Sequence, residues 1–390
     1  MRVLFAFPWI PWPPVGGGRT RNWFLSSQLA ERHEVHLFCL RAPEDPVVPS
    51  LPSLPFASVE VADIPPRNPP RGSAAWLALR VRSLRHPGAA YYRAGAERRF
   101  AALVGRLRPD IIVYGISWML PYARAAGAVP AVADQQNYDP LITARMAQGR
   151  RGLDALKWRA YVALTTRAER RNLRRVRAVA ACSEEDAALF RTAAPHALVG
   201  VVPNGVDTGS FDPSPLGSAI VMTGTFSYAP NADGARWLAR EVWPRVRRAA
   251  PAAELRLVGL DGELLGDLAG DGITVVGTVP DIRPELARAR AAVAPIHAGG
   301  GTRIKILEAF AAGRPVVATR IGAEGLGLAD ADAAFLRDGP AAFADALVRL
   351  LSDVSLARAM GERGRKLAES RFDWRAGTAR LEALLERALA

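Results

Sequence analysis

The sequence predicts an α/β protein of two doubly wound domains, and three observations predict it. Its 390 residues exceed what one hydrophobic core usually organises. Continuous apolar, β-branched runs alternate with longer stretches of helical period, the pattern of parallel strands covered on both faces. The alternation breaks once, at Val201-Val202-Pro203-Asn204-Gly205-Val206-Asp207 and the turn-rich stretch through Ser218. A fresh strand begins at Ala219, so the expected domains are residues 1–207 and 208–370.

The first strand is residues 2–7, apolar almost throughout. It reads as a buried strand rather than a signal peptide. Pro8, Pro11, Pro13 and Pro14 interrupt the apolar run beyond it, and no small-residue cleavage site closes it cleanly. Trp9 to Val15 lead into Gly16-Gly17-Gly18-Arg19-Thr20 and a helix over 21–32. Apolar runs at 34–40, 110–114, 129–133 and 178–182 continue the sheet, with helices over 95–107 and 151–176. The proline-rich stretch 43–70 reads as a surface excursion. In the second half, strands are expected at 219–224, 254–258, 273–276, 291–295 and 315–318. Helices are expected at 233–249, 282–289, 303–312, 340–351 and 355–369.

Composition narrows the class. A 49% hydrophobic and 23% charged chain is that of a soluble globular protein, and no segment is long and apolar enough to span a bilayer. Cys39 and Cys182 are the only cysteines, which excludes a disulfide framework and a multi-cysteine zinc site and suits a cytoplasmic setting. The histidines have no metal-ligand spacing, and Asp330-Ala331-Asp332 reads as an exposed turn, so no metal site is expected. The net charge of +13 has two readings: an anionic partner, or a GC-rich genome that favours arginine. Lysine occurs only at 157, 305 and 366, which singles out Lys305. Segments 76–85 and 151–177 mix arginines with apolar residues. Trp76, Leu77, Leu79, Val81 and Leu84, with Arg80, Arg82 and Arg85, would suit an anionic membrane surface or an ordinary solvated helix face.

The chemistry concentrates in His297-Ala298-Gly299-Gly300-Gly301-Thr302-Arg303-Ile304-Lys305-Ile306-Leu307-Glu308. A strand runs into three glycines that open a helix. Glycine lets backbone approach a ligand, and a helix N-terminus presents unpaired N–H groups and a positive dipole end. Arg303 and Lys305 add charge, so the segment reads as a phosphate or diphosphate site. Glu308 is free for another task, or pairs with Arg303 or Lys305 at helical spacing. The strand–glycine–helix element at Gly16 and Gly17 is a second place where amides could contact phosphate, with Arg19 and Arg21 adding charge or merely solvated. Asp134 and Asn137 follow one strand and Ser117 and Trp118 another, at the ends where open α/β sheets bind ligands; the alternative is a turn role. His297 either contacts a ligand or is a neutral packed histidine.

Four motifs occur in a specific order: Pro13-Pro14-Val15-Gly16-Gly17 after the first strand, Val202-Pro203-Asn204-Gly205-Val206-Asp207, Val276-Gly277-Thr278-Val279-Pro280-Asp281, and the glycine loop leading to Glu308-Ala309-Phe310-Ala311-Ala312-Gly313-Arg314-Pro315. This resembles the retaining nucleotide-sugar glycosyltransferases of family 4, with the GT-B fold of two facing Rossmann-like domains. The resemblance implies transfer of a sugar from a UDP- or GDP-linked donor to a hydroxyl of a saccharide or lipid-linked acceptor, without metal or other cofactor. It implies that the final helix, 371–390, crosses back onto the first domain. Glu308 matches the glutamate that binds the donor ribose, while Gly300 stands where a sugar-binding glutamate is usual. The strand Val221-Met222-Thr223-Gly224 runs on through Thr225 to Asn231 without the family's Arg/Lys pair, so Arg303 and Lys305 become the candidates for stabilising the leaving group. Gly224 and Thr225 would offer amides, Gly277 to Val279 would hold the base, and His297, Gly301 and Thr302 would line the donor. Asp134 joins Arg303 and Lys305 as a catalytic candidate, with Arg19, Ser117 and Asn137 on the acceptor side. Two rival functions stand beside this one. An epimerase of the same fold would consume a sugar nucleotide without an acceptor. A nucleic-acid-binding protein would use the charge, but the arginines are dispersed and no recognition motif is present.

Overall fold

The computed structural model describes residues 1–45, 54–83, 88–212 and 214–390. The chain separates into two units, Met1–Pro203 with Gly377–Ala390, and Asn204–Ala376.

The first unit holds a parallel sheet of β1 (Arg2–Phe7), β2 (Glu34–Arg41), β3 (Ser58–Asp63), β4 (Ile111–Gly115), β5 (Ala131–Gln135), β6 (Ala178–Ala181) and β7 (Leu198–Val201). Their order across the sheet is β3-β2-β1-β4-β5-β6-β7. Helices α1 (Gly17–Leu29), α2 (Ala74–Ser83), α3 (Ala94–Leu107), α4 (Asp139–Met146), α5 (Gly152–Leu173) and α6 (Glu184–Ala193) cover it, with a 3₁₀ stretch at Ser117–Ala126. The chain winds outward from β1 to β3, then restarts at β4 on the other side of β1. A crevice opens at the carboxyl ends where the order reverses. One face is packed by an aromatic group in which Phe100 meets Phe38 at 5.0 Å and Tyr122 at 5.9 Å. The stretch 43–70, expected as an excursion, contributes β3 to the sheet edge; its residues 46–53 lie outside the described residues. The alternation in Ser58-Val59-Glu60-Val61-Ala62-Asp63 was present but short and flanked by prolines.

A buried ion pair ties this unit together. Arg21 of α1 is fully buried, and its guanidinium donates to both oxygens of Asp134, at 2.5 Å for the shortest contact. Its Nη1 donates to the Val202 carbonyl at 2.9 Å. One side chain thus joins the first helix, a central strand and the chain leaving the sheet. Such a charge is tolerated because each of the three guanidinium nitrogens finds a partner.

The second unit repeats the design with β8 (Ala219–Thr223), β9 (Leu255–Val258), β10 (Ile273–Gly277), β11 (Ala289–Ala294), β12 (Val316–Ala318) and β13 (Ala334–Leu336), in the order β10-β9-β8-β11-β12-β13. The reversal falls between β8 and β11. The helices are α7 (Ala229–Trp237), α8 (Trp243–Ala249), α9 (Arg283–Ala287), α10 (Ile304–Ala311), α11 (Pro340–Ser352) and α12 (Val354–Arg371). The helix expected over 233–249 is α7 and α8 joined by a π turn at Leu238–Val242. Gly234 lets α7 approach the end of β11: a Cβ there would lie 2.3 Å from the Pro295 carbonyl oxygen.

Helix α13 (Trp374–Leu389) begins in the second unit and belongs to the first from Gly377 onward. Thr378 donates to Gln28 at 2.8 Å, Glu382 accepts from Arg32 and contacts His33, and Leu384 lies against Gly200. Among the described residues no helix is long and apolar enough to cross a membrane.

Asp134→Ala leaves Arg21 charged in a dry site. We expect a loss of about 3–5 kcal/mol in the first unit, read as an early transition in denaturant unfolding of the full chain.

Candidate functional site

The strand ends of the second unit are pressed together by glycines. A Cβ on Gly259, after β9, would sit 1.8 Å from the Gly224 carbonyl oxygen after β8. Gly259 N–H in turn donates to the Gly277 carbonyl at the end of β10, 2.7 Å away. Backbone of three strands therefore meets at one edge. Beside it, the loop from β11 turns through Gly299 and Gly301, whose φ values of 131° and 70° favour glycine. It delivers Thr302 and Arg303 to the start of α10. Arg303 is the N-cap residue rather than part of the helix, and its guanidinium folds back onto the carbonyls of Gly300 and Gly301. Thr302 is buried, and its hydroxyl has no hydrogen-bond partner.

Lys305 makes the connection between the two strands at the reversal. Its Nζ donates to Asn231 Oδ1 at 2.9 Å and lies 2.9 Å from where a Gly224 Cβ would be. The ammonium from α10 thus reaches the end of β8, the strand whose own loop carries no cation. Burial pushes Lys305 down to about 7, and the Arg303 charge adds to this while Glu308 opposes it. Burial likewise pushes Glu308 up to about 7, against the pull of Lys305. Lys305 and Glu308 attract one another without a close ion pair among the described residues. His297 packs edge-on against Trp237, ring centres 4.6 Å apart, and burial lowers its pKa. Val279 is partly buried and packs against the core. Gly224, Thr225, Gly300, Gly301, Thr302, Lys305 and Glu308 thus gather where β8 and β11 part. Asn231 and Gly259 complete this group and carry no motif of their own, which is why the sequence did not mark them.

In the first unit Gly16 caps α1 at φ 84° and Gly17 begins the helix. Arg19 is engaged by Asp45 at 2.9 Å and the Ile10 carbonyl, a structural role. Asp134 requires correction: it lies inside β5, not after it, and both its oxygens are taken by Arg21. It is not available to orient a substrate. Asn137 donates to Asp139 at 2.5 Å, the turn role. Ser117 is buried and lines one cavity with two carboxyls that sequence reading missed, Asp139 and Glu169. Burial raises both, and the Asp139 charge raises Glu169 further. The signal for Glu169 was the spacing Thr165, Ala168, Glu169, Asn172, Leu173, one inward stripe within an arginine-rich segment. Leu84, Arg85 and His86 lie outside the described residues.

No cluster of three or more metal-ligating side chains occurs among the described residues. Asp330 is held by Arg337 and Asp332 by Arg363, which accords with the turn reading. What the second unit offers is an anion site: amides of a glycine loop and a helix start, an unpartnered hydroxyl, and a lysine with a neutral partner.

Residues 15–210, half of the chain, match the family profile described as Glycosyltransferase Family 4, and residues 217–353 match Glycosyl transferases group 1. The chain is 32% identical over 204 residues to a phosphatidyl-myo-inositol mannosyltransferase of Mycolicibacterium smegmatis, covering 47% of this chain and 51% of that protein. It is 40% identical over 86 residues to a D-inositol 3-phosphate glycosyltransferase of Corynebacterium glutamicum, covering 22% and 20%. The chain therefore aligns to about half the length of the first relative and a fifth of the second. Sucrose-phosphate synthase from Thermosynechococcus elongatus has a similar structure, with TM-score 0.73 and 18% identity over 99% of this chain and 98% of that one. The Anabaena protein HepE in complex with UDP-glucose gives 0.72 and 17% over 99% and 100%. These likenesses show the fold, GT-B with two Rossmann-like domains.

Lys305 is half deprotonated near neutral pH, and a bound polyanion restores its proton. At pH 8, binding of inorganic pyrophosphate should therefore take up a proton. Calorimetric titration in buffers of different ionisation enthalpy reads this as a buffer-dependent heat, and Lys305→Met should reduce the dependence, the remainder coming from Glu308 and the ligand itself. The sign comes from the lowered pKa of the free protein: affinity falls as pH rises above about 7.

Proposed function

The chain belongs to glycosyltransferase family 4, and on that basis we propose that it moves a sugar from a nucleoside-diphosphate donor to an acceptor hydroxyl with retention. The observation that carries the reading is Lys305 brought from α10 to the end of β8, beside the glycine loop and the Thr302 hydroxyl. That is a place for a diphosphate at the strand reversal of a Rossmann-like unit. UDP and UDP-glucose bound in neighbours of the same fold support the donor class, UDP- or GDP-linked.

In the proposed reaction the bond from the anomeric carbon to the diphosphate oxygen breaks, and a bond to the acceptor oxygen forms on the same face. The acceptor proton passes to the departing phosphate, so the protein need not supply a base. The developing charge is met by Lys305, Arg303 and the amides of the glycine loop. Fixed donors of this kind contribute several kcal/mol because they need no reorganisation during reaction. On this reading no metal or other cofactor is required. Glu308 accepts hydrogen bonds from the ribose hydroxyls, the role of the matching family residue. Gly300 in place of the usual glutamate leaves the donor sugar to other contacts.

The acceptor is a saccharide or a lipid-linked saccharide. Exposed Leu77 and Val81 on α2 and Leu153 and Leu156 on α5 accompany a net charge of +13, which supports peripheral contact with an anionic membrane.

A thermal-shift series with UDP, GDP and their sugar derivatives should identify a stabilising nucleotide, since a ligand of the folded state raises its stability. No shift with any of them sinks the proposal. Lys305→Ala and Arg303→Ala should lower turnover by about 10²-fold or more each, followed as nucleotide release with the fold checked by circular dichroism. Glu308→Gln should weaken nucleoside-diphosphate affinity; equal calorimetric affinity removes the ribose role. Flotation with phosphatidylglycerol vesicles but not phosphatidylcholine vesicles tests the membrane contact.

A further inference from the structure

Lys305 sits at the end of β8 because a side chain there receives it. The loop after β8 carries no carboxylate from Thr225 to Asn231, and neither α7 nor α10 has an acidic residue in its first turn, where the helix dipole would favour one. The receiver is Asn231, the third residue of α7. Its Oδ1 accepts from Lys305 Nζ at 2.9 Å, and its Nδ2 donates to the Thr225 carbonyl at 2.9 Å. The two neighbours fix which way the amide points. An ammonium can only donate and a carbonyl can only accept, so the oxygen must face α10 and the nitrogen the β8 loop. Aspartate would set a second acceptor against the Thr225 carbonyl, and leucine would offer neither group.

The surroundings hold the lysine without cancelling its charge. A Cβ on Gly224 would lie 2.9 Å from Nζ and 3.1 Å from Asn231 Nδ2, so the backbone closes against both groups. One of the three N–H groups of the ammonium goes to Asn231, and an uncharged amide leaves the positive charge intact. Arg303, on the preceding loop, repels the ammonium, and Glu308, further along α10, attracts it. Other charged groups on the elements packed around it are engaged elsewhere. On α7, Asp233 is exposed and lies 4.0 Å from Arg236. After β9, Asp261 accepts from Ser227. On α12, Arg365 pairs with Glu369. Tyr228, just before α7, is exposed, and His297, after β11, packs on Trp237.

We propose that Asn231 is a positioning residue for the transfer: it fixes the Lys305 ammonium at the end of β8 through a neutral acceptor and leaves the charge and two N–H groups to the donor diphosphate. The proposal rests on the transferase reading above and adds the residue that governs whether its leaving-group lysine is charged. A buried ammonium holds its proton better where an acceptor faces it. Removing the acceptor makes the proton easier to lose. A carboxylate in its place holds the proton but neutralises the charge that the diphosphate needs. The two substitutions therefore fail in opposite ways. Burial already brings Lys305 down to about 7, so a further drop is felt above neutral pH.

Calorimetric affinity of the full chain for inorganic pyrophosphate, measured at about pH 6 and about pH 8, tests it, with circular dichroism checking each fold and UDP and GDP titrated in parallel. Each variant is compared with the unmodified chain at the same pH, so protonation of the ligand cancels. Asn231→Leu should weaken binding about tenfold or more at the higher pH and clearly less at the lower, where the lysine proton returns. Asn231→Asp should weaken it about tenfold or more at both. With Lys305→Met already present, Asn231→Leu should change affinity little, since its effect passes through the lysine. A role in packing alone predicts a loss in Asn231→Leu that is the same at both pH values and persists beside Lys305→Met. That result, or unchanged affinity in either variant, overturns the positioning role. If Asn231→Leu does not fold, Asn231→Ala is used, with the same pH signature expected. Failure of pyrophosphate and both nucleotides to bind the unmodified chain overturns the transferase reading instead.

Discussion

A lysine ammonium held against the backbone at the end of β8 governs the layout of the second unit's site. Lys305 reaches Asn231 and Gly224 from a different strand–helix element, so β8, α7 and α10 must hold their places for the charge to sit there. The glycines are consequences of that arrangement. A Cβ on Gly224 would lie 2.9 Å from the ammonium and displace it, and Gly259 has no room for one beside the Gly224 carbonyl. Gly234 allows α7 to approach the β11 loop that leads into α10.

The two units use a buried cation in opposite ways. Arg21 is neutralised by Asp134 with both oxygens engaged, so its interactions go into joining helix, strand and exit segment. Lys305 has a neutral amide as partner and loses proton affinity through burial. A charge already paired stabilises a fold. A charge underpaired in a partly dry place has binding energy left for an incoming anion. The carboxyls of the first unit obey the same logic with the sign reversed, since Glu169 is buried without a full set of partners.

Much of this was legible in the residues. The apolar strands, the break near Pro203 and the glycine loop before Lys305 are local patterns with a period or a spacing. Short edge strands were not legible: β3, β7 and β13 have three to six residues each and little periodicity to show. The role expected of Asp134 failed because a strand boundary lies two residues further on. That shift takes the side chain from a strand end, where it would face ligand, to a strand interior facing α1.

Composition, period and contiguous motifs are enough to set the α/β class, the family resemblance and the anion character of the His297–Glu308 segment, because each is a local property of the chain. Which charges can act on a ligand is settled only by packing. Asn231 lies 74 residues from Lys305, Asp134 lies 113 from Arg21, and Ser117, Asp139 and Glu169 come from three separate elements. Partnership and desolvation set the electrostatic role of each group, and both are properties of contacts between segments that spacing along the chain does not encode.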